Sequence, residues 1–404
     1  MELGPIFRAM LRNKPGFVLI GLQIAFTMAI MTNAIAIIQE RSDLMARPSG
    51  VDEANVFYLT SLTFDPDVDR RVLIDEDLRA LRALPGVVNA ISTNSVPLRG
   101  GGWSMGLQTE PGAAFDGSGV AIYFSDEHGV DTFGTNLVAG RNFRLDDIRW
   151  NEPEMTTWPT TGIITEAMAT ALYPDDDPAD SVGRTVYINT DNPVQIVGVI
   201  DRLQAPWSGW DGLERSMLVP EKREWDTNRY VVRTEPGQLD SVMAAAEDLL
   251  VENSAGRIVR DVTTMAETRA RSYLDSTAMV GMLTFTVTLL TGITALGIVG
   301  LASFSVSRRT KQIGTRRALG ATRGAILRYF MIENLVISTA GVIVGGILAI
   351  TLNIWMVDAF EMAPMRWYLV PAAMLTLWAV GLIAVAGPAR RASRVSPAIA
   401  TRTV

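Results

Sequence analysis

The chain has 404 residues, 48% of them apolar and only 20% charged, with a mean hydropathy of +0.20. That balance argues against a wholly soluble protein, and a net charge of −7 argues against the chain as a whole being a nucleic-acid binder. The absence of cysteine excludes disulfides and thiolate chemistry, and a single histidine, His128, excludes multi-histidine metal motifs.

In chain order, a basic head (1–15) with Arg8, Arg12 and Lys14 precedes an uncharged run, Gly16 to Ile38. The run's 23 residues suffice to span a bilayer and exceed the roughly 7–15 of a signal-peptide core, so it reads as a retained anchor. Further spans are expected at 276–307, 329–357 and 368–387, with a short loop at 358–367. The loop 308–328 carries seven basic residues and no acid, and the tail 388–404 carries four. By the positive-inside rule, head, loop and tail are expected in the cytoplasm. The segment 39–275, with 21 basic and 39 acidic residues, is then expected outside.

Within 39–275, strands are expected at Val56–Leu62, Val87–Ser92, Arg229–Arg233 and Arg257–Val262, with helices at Asp75–Leu84 and Gln238–Glu252. These form a split α+β lobe, 50–96 and 220–262, interrupted by an insert, 97–219. The insert reads as mainly β. Its strands are expected at Gly119–Phe124, Gly162–Ile164, Thr185–Ile188 and Gln195–Ile200, and a helix at Glu166–Leu172. Asp261 to Tyr273 is expected to be helical and to run straight into the second span as a rod that transmits movement. The fold class is therefore an α-helical integral membrane protein with four spans and a large α+β extracytoplasmic domain.

The loop reads Arg308-Arg309-Thr310-Lys311-Gln312-Ile313-Gly314-Thr315-Arg316-Arg317-Ala318-Leu319-Gly320-Ala321-Thr322. Ile313, Arg316/Arg317 and Gly320 lie about one helical turn apart, which suits a short surface helix. Here the chain resembles permeases of the MacB/FtsX type of ABC transporter, whose cytoplasmic segment reads R-T-x-E-I-G-x-R-R/K-A-L/M-G-A-T before a helix opening I-L-x-x-F-x-x-E. The matching residues are Arg309 through Thr322, then Ile326, Leu327, Phe330 and Glu333. Gln312 departs from the usual Glu. The tail Pro388-Ala389-Arg390-Arg391-Ala392-Ser393-Arg394 resembles the family's ending. Val96-Pro97-Leu98-Arg99-Gly100, Gly140-Arg141-Asn142-Phe143 and Ile196-Val197-Gly198-Val199-Ile200 are similar to phrases of its outer domain.

The resemblance implies a bacterial inner-membrane permease with porter-like and sabre-like outer lobes. It implies a second copy or a similar permease as partner, and a cytoplasmic ABC ATPase dimer that binds the ATP and Mg. This chain itself is expected to bind no cofactor and to catalyse nothing, since it holds no G-x-x-x-x-G-K-[ST] loop. The expected coupling residues are Arg309, Lys311, Gln312, Ile313, Gly314, Arg316, Arg317, Ala318, Leu319, Gly320, Ala321 and Thr322, with a tail contact through Arg390, Arg391 and Arg394. Gly297, Gly300, Gly341 and Gly345 are expected at helix crossings. Glu333 is expected to snorkel or pair with nearby arginines. The large outer domain favours export through an adaptor and an outer-membrane factor. Regulation of a cell-wall hydrolase and lipoprotein release are the rival readings. Trp103, Trp207 and Trp210 read either as core or as partner contacts, His128 as locally hydrogen-bonded, and Asp175-Asp176-Asp177 as a solvated turn.

Overall fold

A computed structural model of the protein describes residues 14–112, 118–151, 158–253, 256–360 and 362–396. Most of the basic head and the end of the tail lie outside the described residues. The chain divides into two units, 1–46 with 275–404, and 47–274.

Among the described residues, the first unit holds four helices long and apolar enough to cross a membrane. They are α1 (Lys14–Ala46), α7 (Leu274–Arg308), α9 (Arg323–Phe360) and α10 (Leu369–Ser393), with the short α8 (Thr310–Ala318) between α7 and α9. Each span outruns its uncharged stretch. Helix α1 carries Glu40, Arg41 and Asp43 in its last turns, where Arg366 Nη2 reaches Asp43 at 2.5 Å and Tyr368 Oη lies 3.2 Å from Gln39. Near the same end, Trp355 stacks on Phe360 and Trp367 on Tyr368, the aromatic composition of a membrane–water boundary. The core joins Ile24 and Met28 of α1, Ile298 of α7, Ile337 and Val342 of α9, and Leu377 of α10.

Among the described residues, the second unit contains two sheets. The first is antiparallel, in the order β12-β1-β11-β2, from β1 (Val56–Thr63), β2 (Val87–Thr93), β11 (Thr227–Thr234) and β12 (Arg257–Thr264). Helices α2 (Arg70–Ala83) and α5 (Leu239–Asn253) pack Ile74, Leu78, Leu81, Val242, Ala246 and Leu250 onto Phe57, Leu59 and Tyr230. Helix α2 starts five residues earlier than expected because the Asp69 carboxylate accepts from the amides of Arg71 and Val72.

In the second sheet, β3 (Trp103–Gln108), β4 (Ser118–Ser125), β7 (Thr161–Thr165), β8 (Thr185–Ile188), β9 (Asn192–Ile200) and β10 (Ser216–Arg223) pair in the order β4-β3-β8-β9-β7-β10. Strand β10 also pairs with β4, closing a six-stranded ring. Closure removes the exposed edges, and a ring this narrow is filled by its own side chains: Leu107, Val120, Ile122, Ile188, Ile196 and Met217. Short strands β5 (Leu137–Gly140) and β6 (Arg149–Asn151) append to β9 and β10. Two helices complete the unit's early part, α3 (Gly129–Phe133) and α4 (Glu166–Leu172), the latter where the sequence predicts it.

The rod expected from Asp261 to the second span is corrected in two places. Residues through Thr264 remain in β12, because Thr263 and Thr264 pair with Tyr58 and Phe57. Thr264 then caps α6 (Met265–Ser272) in a reciprocal capping box with Glu267. Tyr273, at φ −102° and ψ 13°, separates α6 from α7, so the segment is two helices.

The family-like phrases in this domain are backbone fittings. Gly140 (φ +77°) pairs with Gly198, and a Cβ on either would lie 2.3 Å from Val197 O or 2.6 Å from Arg141 O. The Arg141 guanidinium forks onto Asp147 at 2.6 and 3.2 Å, which holds that carboxyl below its ordinary range.

Candidate functional site: the coupling segment

The segment between α7 and α9 is a helix, a stop and a restart. Helix α8 ends in a Schellman motif: the Gly320 amide donates to Arg317 O at 3.2 Å and the Ala321 amide to Arg316 O at 3.0 Å. Gly320 takes φ +94°, a conformation that side chains resist. Two residues later, Thr322 caps α9, its Oγ1 accepting from the Ala325 amide at 3.2 Å. Ala-Leu-Gly-Ala-Thr thus encodes a sharp helix reversal, and Leu319 at its apex is 83% exposed.

The helix is two-faced. Ile313 and Gly314 are buried, and Ile313 packs with Ile326 and Phe330 of α9 and with Ala389 and Ala392 of α10. The Arg316 guanidinium lies 5.2 Å from the Tyr329 ring centroid, which ties the other end of α8 back to α9. Lys311, Gln312, Thr315, Arg316, Ala318, Leu319, Gly320 and Thr322 are exposed, while Arg317 and Ala321 are half-buried. Exposed Arg390, Arg391 and Arg394 extend the basic surface along the last turn of α10. The small inward residues Pro388, Ala389 and Ala392 are what let that turn approach α8 closely.

Arg309 departs from the expected docking role. It sits at the N-cap position of α8 and turns inward, its Nη1 donating to both oxygens of Glu333 at 2.9 and 3.2 Å. Glu333 is only 4% exposed. A buried carboxylate needs such a partner, so this pair anchors the segment to the bundle.

The glycines separate. A Cβ at Gly341 would lie 2.8 Å from Ile24 Cβ, and one at Gly345 would lie 2.5 Å from Met28 Cβ and 2.7 Å from Ala25 O. Both mark the crossing of α1 and α9 inside one chain. A Cβ at Gly297 would meet Gln23, whereas one at Gly300 would have nothing within 4 Å. Gly381, on α10, is a close approach that no local pattern singles out: a Cβ there would come within 3.0 Å of Ser338 and 3.1 Å of Asn334.

Trp103, Trp207 and Trp210 are half-buried, each against another aromatic ring. Trp103 stacks with Phe124 and Trp225 around the Arg223 guanidinium, 4.8 Å from the Trp103 centroid. Trp207 and Trp210 stack edge to face at 5.8 Å. His128 Nδ1 lies 3.1 Å from Asn89 Nδ2. Asp176 pairs with Arg184 at 2.7 Å, and Asp177 caps a turn. Among the described residues, no group of three acidic or histidine side chains is placed to hold a metal.

A four-span bundle, an α/β domain inserted after the first span and a basic helix reversal between the second and third define a transporter-type membrane subunit. The comparisons agree. Residues 18–255 match the MacB-like periplasmic core domain, and residues 284–397 match the FtsX-like permease C-terminal domain. The chain belongs to this family of MacB/FtsX-type ABC transporter permeases. It is 25% identical over 375 residues to the macrolide export ATP-binding/permease protein MacB of Azoarcus sp. (strain BH72), covering 88% of this chain and 53% of that one. The chain thus spans about half the length of that relative. It is also 25% identical over 343 residues to the uncharacterized ABC transporter permease YknZ of Bacillus subtilis (strain 168), covering 81% of this chain and 78% of that one. Among solved structures, the YknZ extracellular domain, from Gram-positive bacteria, aligns over 51% of this chain and 100% of its own at 19% identity and a TM-score of 0.32. The periplasmic region of MacB from Actinobacillus actinomycetemcomitans aligns over 57% and 97% at 14% identity, also at 0.32.

Proposed function

We propose that the chain is the permease subunit of an ABC-type export or mechanotransmission complex in a bacterial inner membrane. A separate cytoplasmic ATPase dimer binds ATP and Mg and docks on the α8 reversal. Its closure moves the domain 47–274, which stands in the periplasm, while both termini face the cytoplasm. Export of a periplasmic cargo then proceeds through an adaptor and an outer-membrane factor. The observation that carries this reading is the exposed Leu319 at the apex of a rigidly capped reversal flanked by basic residues. An apolar knob ringed by cations fits an acidic-rimmed apolar pocket, with the charges setting on-rate and register. The anchoring of α8 to α9 and α10 through Ile313 and the Arg309–Glu333 pair gives the pull a stiff path into the spans. The second permease, a copy or a similar chain, is expected against the apolar face of α7, where Met282, Phe285, Leu289 and Leu296 are exposed and Gly300 leaves room for close approach.

Co-purification from native membranes in mild detergent tests the docking. An ABC ATPase is expected to accompany the wild-type chain. The Arg316→Glu/Arg317→Glu variant and the Leu319→Asp variant are each expected to retain at most about one tenth of it. The second variant alters a residue without internal packing, so its loss cannot be charged to misfolding. An ATPase retained at wild-type level by Leu319→Asp contradicts the assignment.

A further inference from the structure

On the face of the first sheet away from α2 and α5, three arginines converge with one carboxylate among them. Thr60 of β1 lies directly between Arg229 of β11 and Arg260 of β12 in the strand register. Tyr58, two residues along and on the same face, lies under both Arg99 and Arg229, whose guanidinium carbons are 5.8 and 6.0 Å from its ring centroid. Arg99 is delivered by the Val96–Gly100 turn, where Leu98 is at φ +63° and Gly100 at φ +91°.

The carboxylate is Asp261, in a bulge of β12 at φ +57°. It is held loosely, 3.7 Å from Arg99 Nη2 and 3.9 Å from Arg260 Nε, both beyond hydrogen-bond distance. Beneath it, two donors have no hydrogen-bond partner among the described residues: Arg229 Nε and Thr60 Oγ1, the latter on a residue 1% exposed. Arg229 Nη1 donates to Asn94 O. Its pKa is lowered to about 10, first by burial and then by Arg99. An excess of cations and unpaired donors around a strained, poorly seated carboxylate is the arrangement of an anion site closed by a weak internal ligand.

We propose that this notch binds a single oxyanionic group of the phosphate class, which displaces Asp261 from between Arg99 and Arg260 and draws on Arg229 and Thr60 from below. The ligand carries the group either free in solution or on a lipid headgroup. The site is independent of the ATPase-docking segment, so failure of one reading leaves the other standing.

Titration calorimetry of the full chain in neutral detergent, with inorganic phosphate in chloride-poor buffer, tests it. Saturable binding is expected in the millimolar range or tighter, weakened about tenfold or more by Arg99→Gln and by Arg260→Gln. Both side chains are partly exposed, so these variants keep the fold. Asp261→Asn is expected to tighten binding about threefold or more, because it removes the internal competitor and Asn tolerates the left-handed backbone. The same substitution has no reason to strengthen binding if the arginines are only structural. Repeating the titration in nanodiscs separates the sources. Both headgroups carry a phosphodiester, so phosphate binding that is present in detergent and lost in nanodiscs of phosphatidylcholine or phosphatidylglycerol assigns the site to headgroups, and binding retained in both assigns it to a soluble anion. Absence of saturable heat up to about 10 mM phosphate, or heat indifferent to all three substitutions, overturns the proposal.

Discussion

Replacing Arg257 with methionine is expected to destabilise the α/β domain by about 3–5 kcal/mol. Arg257 and Asp77 are both essentially buried, at 0% and 1% side-chain exposure; Arg257 Nη1 donates to Asp77 Oδ1 at 2.9 Å, and Nη2 lies 2.9 Å from Oδ2 as an ion pair. Tyr230 donates to the same carboxylate at 2.6 Å, and Arg257 also donates to Leu250 O at 3.0 Å. Burial pushes the Asp77 carboxyl up, and the arginine opposes that push. Without the arginine, a carboxylate is stranded between α2 and the sheet. For a domain of this size the loss corresponds to a fall of roughly 6–20 °C in its melting midpoint, read by tryptophan fluorescence on the full chain in detergent. The variant Asp77→Leu/Tyr230→Phe/Arg257→Met is expected to recover most of it, because it removes the desolvated groups together. A single variant that melts within about 2 °C of wild type contradicts the account of this core.

Gly345→Leu is expected to prevent assembly of the four-helix unit. A Cβ at this position already lies 2.5 Å from Met28 Cβ and 2.7 Å from the Ala25 carbonyl, so backbone as well as side chain must yield. Overpacking alone costs about 1–3 kcal/mol, and here α1 and α9 must separate along their crossing, which also carries the Asn33 Nδ2 hydrogen bond to Ala349 O at 3.1 Å. The expected result is chain that aggregates on extraction, seen as loss of the monodisperse peak in detergent. Gly387→Leu, on α10, is the matched control, since nothing lies within 4 Å of a Cβ there. Equal behaviour of the two variants contradicts the placement of the crossing.

The four spans were legible because an uncharged run of 20 or more residues has few alternatives in water. Their ends were not, because the polar turns beyond each run stay helical through contacts that only the fold creates, such as Arg366 with Asp43. Helices α4 and α5 and strand β8 followed local pattern closely. Strand β3 was hidden behind Gly100-Gly101-Gly102, and β10 behind Pro220-Glu221-Lys222-Arg223, where Glu221 is buried against Arg223. Ring closure through β4 and β10 joins strands nearly a hundred residues apart, and no local period carries that information. In the coupling segment, the helix could be read from spacing, but that spacing places Gly320 within the helical repeat, whereas it is the left-handed stop after Ala318. The pairing of Glu333 with a nearby arginine could be read too, since an acid in an apolar span is a signal that a cation must come to it; that the arginine is Arg309, 24 residues back, could not.

The central claim is that the α8 reversal is where an ATPase seats. A photo-crosslinking residue placed at Leu319 in the full chain, activated in native membranes, tests it most directly, with Leu145, exposed in the domain 47–274, as the control position. The account predicts a covalent adduct at 319 that mass spectrometry identifies as an ABC ATPase, and none at 145. An adduct with a periplasmic protein at 319, or an ATPase adduct at 145, would contradict both the docking surface and the orientation.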